Sequence, residues 1–308
     1  MTRRPRARLI YNPSAGKEAL RNHLPDVLDL LELGGLEVSC AMTHGANDAI
    51  IAARQASIEH FDYVIAAGGD GTINEVVNGL SNLDYRPTLG ILPAGTTNDL
   101  GRALGIPRDL KKACEIIVKR NAVPMDVGKI GEDGYFINIA GCGKLTELTY
   151  EVPSKLKTHL GQLAYYVKGM EKLPGLKTIH LEIDSPDFAY EGKAMLCLIA
   201  NSNSVGGFEK LAPNAKLNDG LFDVILVKQV NLPELITLAR LALKGEHANS
   251  DRVIYFQTET LTISSPELVE LNLDGEFGGH LPQKFNCLKH HLKVLVADPA
   301  DGGRLALP

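Results

Sequence analysis

The 308-residue chain has no run of 18 consecutive apolar residues, which excludes a membrane-spanning helix. A substrate held in a membrane would have to be reached from the surface. It has no CxxC pair. Its five cysteines, Cys40, Cys114, Cys142, Cys197 and Cys287, are odd in number, and most sit among apolar neighbours, as buried free thiols do. A reducing cytoplasm is the expectation. No secretory apolar core opens the chain, because arginines interrupt the first segment. The formal net charge of −5 speaks against wholesale nucleic-acid binding. Arg3, Arg4, Arg6 and Arg8 make a short basic patch, read as a solvated terminus before any weak attraction to anionic lipid. No repeat and no low-complexity tract occurs. What remains is an ordinary 44% hydrophobic composition, with length enough for two domains or one large one.

The first part alternates strands and helices. Residues 7–12 read as a strand ending at Pro13, and Leu20, Leu24, Val27, Leu28 and Leu31 as a helix face stopped by Gly34-Gly35. Leu36 to Met42 is a second strand and Ala46 to His60 a second helix. Tyr63 to Ala67 is a third strand, followed by a helix carrying Val76, Val77 and Leu80. Thr88 to Leu92 is a fourth strand and Leu110 to Val118 a further helix. Such alternation with short joins argues for a parallel sheet covered on both faces. From Met125 the texture becomes mostly β, with strands at 125–130, 135–140, 179–183, 193–201, 221–227, 252–257, 260–264, 268–273, 284–287 and 291–297. Helical stretches at 160–173 and 232–243 interrupt it.

Three polar, glycine-bearing loops stand where strands of the first part end. Asn12-Pro13-Ser14-Ala15-Gly16-Lys17 follows the first strand, at the edge where open parallel sheets bind ligands. It is not a Walker A loop: Tyr11 stands where the first glycine belongs, and Glu18 where a magnesium-binding Ser or Thr belongs. Gly68-Gly69-Asp70-Gly71-Thr72 follows the third strand, with Asn74 and Glu75 just after. Its glycines admit a phosphate, and a helix N-terminus favours the charge. Asp70 repels phosphate unless a cation stands between them. Pro93-Ala94-Gly95-Thr96-Thr97-Asn98-Asp99 follows the fourth strand, with Asn98 or Asp99 also able to cap a short helix.

Together, NPSAGK, GGDGT with Asn74-Glu75, and PAGTTND resemble the diacylglycerol kinase catalytic domain. The wider group includes sphingosine kinases and, more distantly, NAD kinases, and the chain most resembles the soluble bacterial diacylglycerol kinases. GGDGT alone leaves NAD and lipid kinases level; its combination with the other two loops and GGFEKLAP favours the lipid branch. The resemblance implies a three-layer α/β ATP-binding domain, residues 1–124 plus a returning 296–308, and a β-sandwich domain, residues 125–295. ATP would lie in the cleft between them. Its contacts would come from Asn12, Pro13, Ser14, Ala15 and Gly16, from Thr43, from Gly68, Gly69, Asp70, Gly71, Thr72 and Asn74, and from Thr96.

The second domain carries Leu273-Asp274-Gly275-Glu276. If extended, Asp274 and Glu276 point the same way; a hairpin turn with solvated acids is the alternative. By the resemblance Glu276 matches the proton acceptor, with Asp274 in the acidic network, and the base role stays divided between them. Ser204 to Gly220 alone is a plain connector. The resemblance gives it a structural Mg2+, held by the Lys216 carbonyl, the Asp219 carboxylate and the Leu221 carbonyl, oxygens that suit a hard cation. Asn214 and Asn218 replace acids common there, which lowers the local negative charge. Asp126 reads locally either as a buried acid able to reach a cleft or as a turn or linker acid; the resemblance puts it with Asp70 and Asp219 around the catalytic Mg2+. Residues 155–166, basic then apolar, suit either packing on the sandwich or a membrane surface.

The expected activity is ATP-dependent phosphorylation of diacylglycerol to phosphatidic acid by a cytoplasmic protein that visits the inner face of the membrane, with a homodimer possible. The alternatives are another lipid acceptor (phosphatidylglycerol, a sphingoid base or ceramide) and a non-catalytic nucleotide or lipid-binding module.

Overall fold

The computed structural model describes residues 3–143, 178–204 and 210–298. The expected helix at 160–173, the stretch 155–166 and the Val205 to Phe208 part of the connector lie outside them. The chain divides into two compact units. The first holds the chain to Val127, takes back Leu217–Asp219, and resumes at Leu288; the second holds Gly128–Lys216 and Gly220–Cys287. Sequence places the crossings at 124/125 and 295/296, so the observed return is longer, and the short loan of residues 217–219 is not visible in it.

The first unit is a doubly wound α/β layer. Its strands are β1 (Arg6–Tyr11), β2 (Glu37–Met42), β3 (Tyr63–Gly68) and β4 (Thr88–Pro93). All pair in parallel in the order β2-β1-β3-β4. The helices are α1 (Ala19–Leu33), α2 (Asp48–Ile58), α3 (Asp70–Ser81), α4 (Asp99–Ala103) and α5 (Leu110–Lys119). β3 is apolar almost throughout, and Val64 to Gly68 are all buried, as a strand covered on both faces must be. α3 turns Ile73, Val76, Val77 and Leu80 inward, each burial worth ~1.5–3 kcal/mol. α5 starts where the Asp109 side chain accepts the Lys112 amide, a cap that satisfies an otherwise orphaned donor.

The second unit is antiparallel. β5 (Ala122–Ile130) leads into it from the first unit. Then come β6 (Gly134–Phe136), β7 (Ile139–Cys142), β8 (Ile179–Ser185), β9 (Phe188–Ala200), β10 (Phe222–Lys228), β11 (Val253–Thr258), β12 (Thr260–Ser264), β13 (Glu270–Leu273) and β14 (Glu276–His280). One α-helix among the described residues, α6 (Leu232–Lys244), begins with a capping box between Asn231 and Glu234 and ends at a left-handed Gly245. β7, β8 and β10 all pair with the long β9. One core gathers Phe136, Phe222, Phe285 and aliphatic residues of β7 to β13; another gathers Ile225, Val227 and Val253 with Leu235 and Leu238 of α6. This is the expected β-sandwich.

The strands expected at 284–287 and 291–297 are one strand, β15 (Gln283–Leu295). Its first part pairs with β12 and its last with β4, at Val294 opposite Leu89. The polar Lys289-His290 pair that separates them in sequence marks a left-handed residue, His290 at φ +55°, rather than an interruption.

Candidate active site

In the order β2-β1-β3-β4 the chain winds one way from β1 to β2 and the other way from β3 to β4. The crevice at such a reversal, outside the carboxyl ends of β1 and β3, is where open α/β sheets bind ligands. The first and second polar loops leave those two ends. The Asn12 amide donates to the Ala67 carbonyl at 3.0 Å, fastening the loops to each other. Asn12 Oδ1 accepts the Ser14 amide at 2.9 Å, and the Ala15 amide reaches the Asn12 carbonyl at 3.2 Å. This turn folds Pro13 to Gly16 back over the strand end. Thr43 arrives at the same edge from β2, its amide on the Tyr11 carbonyl at 3.0 Å and its hydroxyl on the same oxygen at 3.4 Å.

The GGDGT and PAGTTND loops touch backbone to backbone. A Cβ on Gly95 would stand 2.5 Å from Gly69 Cα, and one on Gly68 would stand 2.5 Å from Thr72 Oγ1, so neither position has room for a side chain. Asp70 opens α3 and turns its carboxylate to the neighbouring loop. Its Oδ2 accepts the Asn98 amide at 2.9 Å and its Oδ1 the Asp99 amide at 2.6 Å. Asn98, left-handed at φ +54°, closes the loop on itself: Oδ1 accepts the Gly95 amide and Nδ2 donates to the Gly95 carbonyl, each at 2.8 Å. The outer carbonyls are held by two arginines that sequence gives no reason to single out. Arg108 Nη2 donates to the Thr96 carbonyl at 2.6 Å and to that of Thr97 at 3.2 Å, and Arg102 Nη2 donates to Thr97 at 3.2 Å. Behind α3, Glu75 Oε2 accepts the Ala49 amide in the first turn of α2, where a helix favours negative charge. Asn74 accepts from Asn78 Nδ2 through its carbonyl and Oδ1, both at 3.0 Å.

Asp126 is fully buried, as the first of its two local readings has it. Its amide donates to the Leu217 carbonyl at 2.6 Å, and its Oδ1 accepts the His290 amide at 2.6 Å. His290 Nε2 lies 3.0 Å from the Asn218 carbonyl, which makes it the protonated ring nitrogen. The loaned Leu217–Asp219 segment is thus fixed against Asp126 by two bonds, and His290, left-handed and unremarkable in sequence, makes one of them. Asn218 Oδ1 is buried without a hydrogen-bond donor among the described residues.

In the second unit, Asp274 and Glu276 do not share one extended strand. Asp274 and Gly275 are the two-residue turn between β13 and β14, at φ +49° and +100°, and Leu273 pairs with Glu276 across it. A two-residue hairpin demands two left-handed residues, and Asp-Gly supplies them. The turn reading of this stretch holds, but the Asp274 carboxylate is not left to solvent. It accepts the amides of Ile137 at 2.7 Å and of Asn138 and Ile139 at 2.8 Å each. Buried polar groups back the same loop: Asn201 Nδ2 donates to the Ile137 carbonyl at 2.8 Å, and the Ser202 hydroxyl bonds Asn138 Oδ1 at 3.1 Å. The Glu276 side chain is exposed and forms no hydrogen bond or ion pair among the described residues. Among those residues, no group of three or more His, Cys, Asp or Glu side chains forms a metal cluster, and no helix is long and apolar enough to cross a membrane.

Residues 6–130 match the family model of the diacylglycerol kinase catalytic domain, and residues 148–296 that of the YegS C-terminal NAD kinase beta sandwich-like domain. The diacylglycerol kinase of Bacillus subtilis is 53% identical over 292 residues, 94% of this chain and 96% of that protein. The chain belongs to the diacylglycerol kinase family. Within this family, the Staphylococcus aureus diacylglycerol kinase is 47% identical over 293 residues, covering 95% of this chain and 93% of its own. The crystal structure of a diacylglycerol kinase from Bacillus anthracis superposes with a TM-score of 0.81 at 28% identity, covering 97% of this chain and 100% of that one. The family's fold is the one described above.

Proposed function

We propose that this chain is an ATP-dependent lipid kinase that moves the γ-phosphoryl group of ATP to the free hydroxyl of diacylglycerol, giving phosphatidic acid. The observation that carries the reading is the convergence of the three polar loops at the reversal of the parallel sheet, in a chain 53% identical to a diacylglycerol kinase over nearly its whole length. Asn12 to Gly16, Thr43, Gly68 to Thr72, Asn74 and Thr96 are the nucleotide contacts of this reading. Residues 1–124 with 296–308 serve as the ATP-binding domain, and residues 125–295 as the lipid-substrate domain.

Transfer of a phosphoryl group asks the protein for positioning and charge, with little covalent chemistry of its own. Glu276 suits the proton acceptor: its carboxylate is exposed and uncommitted, so it can take the hydroxyl proton as the oxygen bonds to phosphorus and the bridging oxygen of ADP leaves. Asp274 suits a positioning role, because its oxygens already hold three amides. The Lys216 carbonyl, the Asp219 carboxylate and the Leu221 carbonyl offer a hard cation the oxygen donors it takes. Asn218 lies between Lys216 and Asp219 in sequence, and its Oδ1 is buried with no donor among the described residues, so the loss of an acid at 218 still leaves an oxygen. Mg2+, when bound with ATP, neutralises phosphate charge that Asp70 and Asp126 would otherwise repel.

The acceptor lies in a membrane, so the protein meets it at the bilayer surface. The test is transfer from radiolabelled ATP with Mg2+ to a panel of diacylglycerol, phosphatidylglycerol, a sphingoid base and ceramide in mixed micelles. Label in phosphatidic acid above the others supports the reading. Label in another lipid changes the acceptor, and ATP binding without transfer to any lipid leaves a non-catalytic module.

A further inference from the structure

Arg108 has no role in the reading above, yet it holds the nucleotide loop. A trans peptide is planar, with its C=O and N–H pointing in opposite directions. Whatever fixes a carbonyl therefore aims the next residue's amide. The peptide between Thr97 and Asn98 shows this at both ends: Arg102 and Arg108 hold the Thr97 carbonyl, and Asp70 holds the Asn98 amide. The peptide between Thr96 and Thr97 is held at one end only. Arg108 grips the Thr96 carbonyl at 2.6 Å, and the Thr97 amide has no acceptor among the described residues. The two carbonyls converge on the same nitrogen, Arg108 Nη2. Both following amides hence point away from the guanidinium. One is taken by Asp70 and the other is open.

Resting on the kinase reading, we propose that Arg108 is a positioning residue of the nucleotide site, aiming the main-chain amide of Thr97 at a phosphate oxygen of ATP. An amide held in place before the ligand arrives costs no reorganisation when it binds. Arginine suits the task because the two N–H bonds of Nη2 are held at fixed angles in the guanidinium plane, one for each carbonyl; a lysine ammonium is a point donor on a flexible stem. Arg108 is exposed, so its side chain is not part of the core and can be changed without opening a cavity.

The experiment compares wild type, Arg108→Ala and Arg108→Lys in three readouts: KM for ATP, KM for diacylglycerol and kcat, with Mg-ATP affinity by calorimetry in the absence of lipid. Arg108→Ala is expected to raise both the ATP KM and the ATP Kd about tenfold, which is about 1.4 kcal/mol. The lipid KM and kcat stay within about twofold, because only ground-state binding of the nucleotide is touched. Arg108→Lys falls between the two. Free guanidinium chloride at a few tens of millimolar restores part of the ATP affinity of Arg108→Ala and does nothing for wild type. Unchanged ATP affinity in Arg108→Ala overturns the proposal. So does a loss matched by an equal rise in lipid KM and a lower Tm, which marks Arg108 as merely structural. Calorimetry keeps the two readings apart: if wild type phosphorylates no lipid, the kinase reading falls, while the Arg108 effect on ATP affinity is still read directly.

Discussion

Asp70 and Asp274 do the same job in opposite settings. Each is the acid of a tight glycine turn, and each spends its carboxylate on main-chain amides of another loop. In the parallel unit Asp70 reaches amides 28 and 29 residues ahead, one strand over. In the antiparallel unit Asp274 reaches three amides 135 to 137 residues behind it. A doubly wound sheet brings successive strand ends to one edge, so its site is built from near neighbours in sequence. A sandwich pairs strands far apart in the chain, so its site is built from strangers. Both carboxylates act as braces; on the proposed reading, proton transfer falls to Glu276, two residues past the second brace.

The sharpest way to break that comparison is to separate brace from base. Glu276→Gln should lower kcat by about 10³-fold, within the range for loss of a positioned base, with Tm and the ATP KM unchanged. Asp274→Ala should also lower kcat, but together with stability, by about 3 kcal/mol for the lost charge-assisted bonds and the amides left behind. Equal Tm values for the two variants would return Asp274 to the solvated-acid reading. A smaller effect is expected at the other brace. Asp70→Ala removes two amide bonds rather than three and should cost about 2 kcal/mol, with the ATP KM rising and the lipid KM steady. A Tm shift larger than that of Asp274→Ala, or a change confined to lipid, would reverse the ranking.

The smallest effect concerns pH. His247 is buried under the second unit's helix, and burial lowers its pKa from 6.5, partly offset by the Leu211 backbone. The unfolded chain therefore takes up a proton near 6.5 where the folded chain does not. The stability contributed by the neutral ring is present above that value and lost as pH falls below it. Thermal melts at about pH 7.5 and about pH 5.5 should show wild type losing more Tm than His247→Gln. A wild-type slope no steeper than the variant's would remove His247 from the account.

What could be read in advance follows the same division. β3, its glycine turn and α3 are legible because an apolar run, a Gly-Gly pair and a helical stripe follow one another without interruption. The two faces of Asp274-Gly275 are not: alternation makes Asp274 and Glu276 neighbours on one face, and only the pairing of Leu273 with Glu276 turns them into a corner. Likewise Lys289-His290 breaks the apolar pattern of β15 without breaking the strand. Arg102, Arg108 and His290 act through the backbone, and such contacts leave no periodic trace. The buried Asp126 carboxylate takes the amide of His290, 164 residues away.

β15 begins in the second unit and ends beside β4 in the first. A ribosome releases β1 to α5 long before it has made Val294. A parallel sheet formed before then would keep its β4 edge uncovered while the rest of the chain is synthesised. Neither unit corresponds to one stretch of the message, so a stop codon placed between them would yield an incomplete first sheet rather than a smaller working domain. The first sheet is completed, in this sense, by the last strand among the described residues.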